Sequence, residues 1–195
     1  MQTHTLEGGF SDQPVMASHA FRAVMTAMAR PGEILDITGA QPPAPLSAAA
    51  GAVLLTLCDP ETPIYLTNSH DTPEVRDWIT FHTGAPFCTA PEAMFGLGSW
   101  DELSPKTFQI GTPEYPDRSA TLIVESADLT NSGAVLSGPG IKGQARLSLP
   151  ETSIFTNNNK LFPLGLDFIF TCGDRLAALP RTTKTSTFDA AKQVS

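Results

Sequence analysis

Leu166-Asp167-Phe168-Ile169-Phe170-Thr171-Cys172-Gly173-Asp174-Arg175-Leu176-Ala177-Ala178-Leu179 is the stretch on which the fold turns. Side chains of an extended chain alternate between two faces, so Leu166, Phe168, Phe170 and Cys172 share one face while Asp167, Ile169 and Thr171 share the other. Gly173-Asp174 is a two-residue turn signal, and it predicts that the strand over 166–172 folds back as a hairpin on residues 175–179. Working upstream, further strands are expected over 146–149, 134–137 and 120–125.

The first half alternates helices with strands. Phe21, Val24, Met25 and Met28 recur at i, i+3, i+4, i+7 and predict a helix over 18–30, capped by Ser18 and stopped by Arg30-Pro31-Gly32. A short strand over 33–38 follows. Ala49, Val53, Leu54 and Leu57 mark a second helix over 47–57, whose small residues suit close packing. A turn at 59–63 leads to a strand over 64–67. Thr72-Pro73-Glu74 then combines a capping hydroxyl, a proline at the first helical position and an acid favoured by the helix dipole. Val75, Trp78, Ile79 and His82 form that helix's stripe, and Gly84 and Pro86 end it. Interleaved helices first and strands later imply one α/β domain over 1–195, with a mixed sheet flanked by helices. Its core is expected over about 11–184, with a flexible N-terminal segment and a flexible tail over 185–195.

Composition narrows the function classes. Twelve basic against 20 acidic side chains leave a net charge of −8. Nucleic acids and anionic membranes attract Lys and Arg, so neither is an expected partner. No apolar run reaches the 18 residues of a membrane span. Residues 1–10 lack the basic and apolar regions of a secretory signal. Cys58, Cys88 and Cys172, odd in number and widely spaced, read as reduced thiols of a cytoplasmic protein. Seventeen prolines, roughly twice the average share, punctuate the chain as single rigid turns.

Chemistry-bearing motifs are few. The chain has no GxGxxG or GxxxxGK[ST] phosphate loop, no GxSxG elbow, and no CxxC or HExxH pair. No metal site and no catalytic residue is therefore expected. His82 ends a helix, where the dipole favours its protonated form, and it reads as a buried or half-buried histidine bonded to backbone, the alternative being an acid–base or ligand contact. Residues 136–143 form a glycine-rich loop with Lys142 at its exit, which reads either as a tight turn or as an anion nest. Pro180-Arg181-Thr182-Thr183-Lys184 gathers two cations and two hydroxyls in an acidic chain. Pro180 cannot donate to a sheet ladder, so the segment is expected to leave the sheet at a surface. Arg181, Thr182, Lys184, Lys142 and Arg22 (beside Phe21 on the first helix) are the candidates for binding an anion or a partner.

Several blocks are jointly specific. They are Ser18-His19-Ala20-Phe21-Arg22 continuing to Arg30-Pro31-Gly32, Leu54-Leu55-Thr56-Leu57 with Asp59 and Thr62-Pro63, and Phe81-His82-Thr83-Gly84-Ala85-Pro86. Gly111-Thr112 with residues 120–123, Gly138-Pro139-Gly140-Ile141, Phe162-Pro163-Leu164-Gly165-Leu166-Asp167 and Pro180-Arg181-Thr182-Thr183 complete them. In this order they resemble the PhnH family of bacterial carbon–phosphorus lyase subunits. The Asn157-Asn158-Asn159-Lys160 stretch is the one departure and reads as a variable loop. The resemblance implies a fold similar to a shortened pyridoxal-phosphate-dependent transferase that lacks the cofactor. It also implies a homodimer, and a place beside PhnG, PhnI and PhnJ subunits in a complex that joins ATP's ribose triphosphate to an alkylphosphonate. The role implied is a non-catalytic scaffold; the alternative is a subunit lending residues to a shared nucleotide or phosphonate site.

Overall fold

A computed structural model of the chain describes residues 7–187. The hairpin forms as the alternation requires. Asp167–Cys172 (β7) runs antiparallel to Arg175–Leu179 (β8), with Phe168 opposite Leu179 and Cys172 opposite Arg175. On the other side of β7 lie, in parallel, Thr121–Glu125 (β4), Phe95–Ser99 (β3) and Ile64–Leu66 (β2). The two-residue β1, Leu35–Asp36, closes the far edge antiparallel to β8. The result is a six-stranded mixed sheet in the order β1-β8-β7-β4-β3-β2.

Both faces of this sheet are covered. Leu97, Ile123, Ile169, Leu176 and Ala178 point to one side, where they pack with α1 (Gln13–Ala29), α2 (Ala48–Leu57) and α3 (Pro73–Thr83). Leu122, Val124, Phe168, Phe170, Ala177 and Leu179 point to the other. There they meet Phe155 of α4 (Thr152–Asn159) and a small antiparallel sheet, in which Ala134–Ser137 (β5) lies between Ala145–Leu147 (β6) and Lys184–Ser186 (β9). Parallel strands buried on both faces are the usual architecture of an α/β fold.

The helix cap read from the sequence is in place at α3, and α2 has one that was not read. The Ser47 hydroxyl accepts from Ala50 N–H, and the Thr72 hydroxyl accepts from Val75 N–H. Gly84 adopts φ +70° and ends α3. The first helix corrects the expectation in two ways. It starts earlier, with Pro14 in its first turn, so Ser18 lies inside it and bonds to Val15 O instead of capping. Its buried face is Ala20, Val24 and Ala27, whereas Phe21 and Met25 stay half exposed. Close approach to the Ala- and Gly-rich α2 and to Ala178 of β8 selects small side chains for the contact. Size, not hydropathy, sets which way α1 faces.

Three elements were not expected. β3 is Phe95-Gly-Leu-Gly-Ser, and its glycines hide the strand pattern. A Cβ on Gly98 would lie 2.1 Å from Thr67 Oγ1, and one on Gly96 would lie 2.5 Å from the Phe108 ring, so neighbouring side chains fill those spaces. α4 replaces the expected loop around Asn157. β9 replaces the start of the flexible tail, and Thr185 in it is buried. Packing likewise begins before residue 11, since Glu7 O accepts from Trp78 Nε1 and Gly8 O from Gln41 N. The rest of the tail, 188–195, and residues 1–6 lie outside the described residues. Among the described residues no helix is long and apolar enough to cross a membrane.

Candidate functional site

Arg181 does not emerge at a surface. Its side chain is only 13% exposed and pairs with Asp167 at 2.5 Å. A guanidinium carries five N–H donors. Here Nε–H donates to Asp167 Oδ1, Nη1 to the carbonyls of Pro116 and Pro163, and Nη2 to Asp167 Oδ2 and the Ser119 hydroxyl. Arg181 N–H also donates to Asp167 Oδ1, at 2.8 Å. The side chain is an internal strut tying β7 to the loop before β4, with no donor left for a ligand. Asp167, at the start of β7, provides the buried-side carboxylate that draws it inward.

The other candidates divide between two places. β9 pairs with β5, setting Lys184 opposite Ser137, so Thr182 and Lys184 adjoin the glycine-rich loop. That loop closes as a tight turn, with Ile141 N–H on Gly138 O. Gly140, at φ +78°, presses on the end of α1, and a Cβ there would overlap Ala29 O at 1.8 Å. Lys142 and Lys184 are both exposed, Thr182 is half-buried, and Thr183 is buried with its hydroxyl unpartnered. Arg22 stands apart on α1, exposed between Phe21 and Met25. His82 is half-buried and bonded to the Glu7 backbone, as expected, but burial pushes its pKa down, against the helix dipole, with that bond pulling partly the other way.

An apolar concave surface lies elsewhere. A cavity of about 260 Å³ opens between α4 and the 105–110 segment. Ile110, Ile154, Leu161, Leu166 and Phe168 make its wall, Lys106 stands on its lining, and no carboxylate contributes. α4 is positioned by its asparagines. Asn158 accepts from Leu166 N–H and donates to Leu166 O, both at 2.8 Å, and Asn159 donates to Arg181 O. The Thr156 and Thr185 hydroxyls meet at 2.9 Å. Trp100 and Phe168 pack on Phe155 beneath it, with centroids 5.1 and 4.9 Å away. Sequence reading missed this site because Thr-Ser-Ile-Phe-Thr-Asn-Asn-Asn has one deeply buried apolar residue and poor helix formers. The only local signal was the apolar Leu161-Phe162 pair after a polar run.

Polar groups also gather at the carboxyl ends of the parallel strands, where α/β folds often hold ligands. Beside β4, Asp101, Glu125 and Asp128 line a shallow depression, a sign of charge that repels phosphate. Burial raises the Glu125 pKa, partly offset by bonds from Ser47 and Thr171. Beyond β2, the Ser69 hydroxyl donates to Glu102 at 2.7 Å and meets His70 Nδ1 at 2.8 Å. The serine proton is thus directed at a carboxylate, not at a basic imidazole, so this Ser, His and Glu set is not arranged as a nucleophile triad. Burial lowers the His70 pKa, which Glu102 partly opposes. Cys58 is buried and its thiol is pushed up to about 12, leaving it unreactive.

Comparison with known proteins adds what the geometry does not hold. The family model described as bacterial phosphonate metabolism protein (PhnH) matches residues 8–186. The chain is 40% identical over 193 residues to the alpha-D-ribose 1-methylphosphonate 5-triphosphate synthase subunit PhnH of Rhizobium meliloti (strain 1021), covering 94% of this chain and 96% of that protein. It is 28% identical over 177 residues to a putative C-P lyase subunit protein, HtxG, of Stutzerimonas stutzeri, covering 84% and 83%.

Proposed function

Because the chain belongs to the PhnH family of bacterial phosphonate metabolism proteins, we propose that it is a subunit of the carbon–phosphorus lyase machinery that degrades organic phosphonates. It supports formation of ribose 1-phosphonate 5-triphosphate from ATP and an alkylphosphonate, as a scaffold and not as the catalyst. The observation that carries this reading is the match to a synthase subunit over nearly the whole of both chains. The engagement of Arg181 as a strut supports the scaffold role, since it withdraws the strongest anion-binding candidate from the surface.

Its proposed partners are PhnG, PhnI and PhnJ subunits and a second copy of itself, in the cytoplasm and without a bound cofactor. Half-exposed Val15, Phe21 and Met25 on α1 offer apolar surface for such contacts. The likeness to a shortened pyridoxal-phosphate-dependent transferase is part of the same reading and rests on the family resemblance. The alternative, a share in a nucleotide or phosphonate site, is favoured by one feature: Lys142 and Lys184 emerge from adjoining backbone segments.

The test is co-expression with the three partner subunits. The tagged chain should retain all three through size exclusion, and deleting it should abolish growth on methylphosphonate as sole phosphorus source. Adenine release from ATP and methylphosphonate by the pure chain, abolished by a point mutation in it, overturns the scaffold role.

A further inference from the structure

We propose that the cavity between α4 and the 105–110 segment is a socket for one large apolar side chain carried on an acidic stretch of a neighbouring protein chain. The inference rests on the reading of this chain as an assembly subunit and adds the surface and the chemistry of the contact.

Three observations lead to it. The wall is apolar, and about 260 Å³ leaves room for a large aliphatic or aromatic side chain. The apolar surface continues outside, where Leu161 is 45% and Phe162 58% exposed. A small ligand would use only the interior, whereas a side chain on a peptide fills the socket while its neighbours cover that rim. Buried anchors ringed by water-excluding contacts are the usual anatomy of strong protein contacts.

Charge selects the partner. The chain carries a net charge of −8, yet Lys106 stands on the lining, Lys160 directly precedes Leu161, and no carboxylate lines the cavity. Lys160 Nζ donates to Asn157 Oδ1 on the same rim, at 3.0 Å. A positive rim around an apolar hole in an acidic protein complements a segment of Asp or Glu flanking a large apolar residue. Such rim charges steer association more than they tighten it.

The socket is also preformed. Asn158 fixes Leu166, Leu161 N–H donates to Asn158 O, and Arg181 holds Pro163 O between them, so the 161–166 segment is bound at both ends before any partner arrives. Little ordering entropy is then lost on docking.

The experiment uses the full chain co-expressed with the three partner subunits. Two variants are compared with wild type: the double charge reversal Lys106→Glu/Lys160→Glu, and Asn157→Trp, which plugs the mouth. Each alters exposed positions, and unchanged thermal midpoints verify folding. Retention of the partners should weaken by about tenfold or more in both, which corresponds to about 1.4 kcal/mol. The charge reversal should also flatten the salt dependence of binding. A photo-crosslinking residue at 162 should capture an acidic segment bearing a large apolar side chain. Undiminished retention in both variants, capture of a basic segment, or capture of a second copy of this chain overturns the socket while leaving the assembly role intact. Failure of the wild type itself to retain the subunits removes both.

Discussion

The two sides of the main sheet are built by different means. On the helical side, α1, α2 and α3 approach closely through Ala20, Ala27, Ala49, Ala50 and Ala52, and each helix has local start and stop signals. On the other side, bulky rings stack, with Phe155 4.9 Å from Phe168 and 5.8 Å from Phe170. Polar side chains there reach across the sequence to hold backbone in place. Arg181 joins Pro116, Ser119, Pro163 and Asp167, and Asn158 and Asn159 join α4 to the segments after it. Local pattern writes one layer; long-range polar ties write the other.

The largest expected effect tests the polar layer. Removing the guanidinium by Arg181→Ala leaves Asp167 with only the backbone N–H of residue 181, and two carbonyls with no partner, in a mostly enclosed site. Breaking one partner out of a buried ion pair costs about 3–5 kcal/mol. Arg181→Lys should recover only part of that loss, because an ammonium cannot reproduce the planar fork. Urea unfolding of the variants measures both. A loss below about 1 kcal/mol for the alanine variant would mean that the 180–184 segment behaves as a solvated strand end after all.

Next in size is a test of close approach on the helical side. A Cβ on Gly51 of α2 would lie 2.7 Å from Pro42 Cγ, so Gly51→Ala forces a shift of the loop before the helix. Overpacking costs about 1–3 kcal/mol, and the better helix propensity of alanine returns up to about 1. A net destabilisation by thermal unfolding is expected. Stabilisation would show that α2 is not pinned against that loop. Smaller again is the cap: Thr72→Ala, which removes the acceptor for Val75 N–H, should cost about 1 kcal/mol.

This asymmetry explains what could be read in advance. The hairpin, the strands over 120–125 and 134–137, and the cap at Thr72 all express themselves within a few residues. β3 did not, because Gly96 and Gly98 are demanded by Phe108 and Thr67 across space, and glycine carries no strand pattern. α4 did not, because its asparagines are chosen for the backbone they bind. Arg181 looked like a surface cation because Pro180 does end a strand and the chain is acidic. Its partners at 116, 119, 163 and 167 are invisible to any local window. The cavity inherits the same difficulty, as its walls come from three separate segments.

The smallest effect has the opposite sign and lies where the layers meet. Glu125, at the end of β4, accepts from Ser47 N–H at 2.7 Å and from the Thr171 hydroxyl at 3.0 Å. Burial nevertheless raises its pKa above the ordinary 4.5. A carboxyl whose folded pKa exceeds its unfolded one binds its proton more tightly when folded. Its favourable contribution is full below pH 4.5 and is lost as pH rises through the folded value. Glu125→Gln keeps an oxygen for Ser47 N–H and cannot ionise. The variant should match wild type near pH 4 and become the more stable protein toward pH 7, by less than the capping effect. Unfolding curves across that range decide it. A variant less stable at pH 7 would mean that the ionised carboxylate, bonded to Ser47 at the positive end of α2, outweighs the cost of burying its charge.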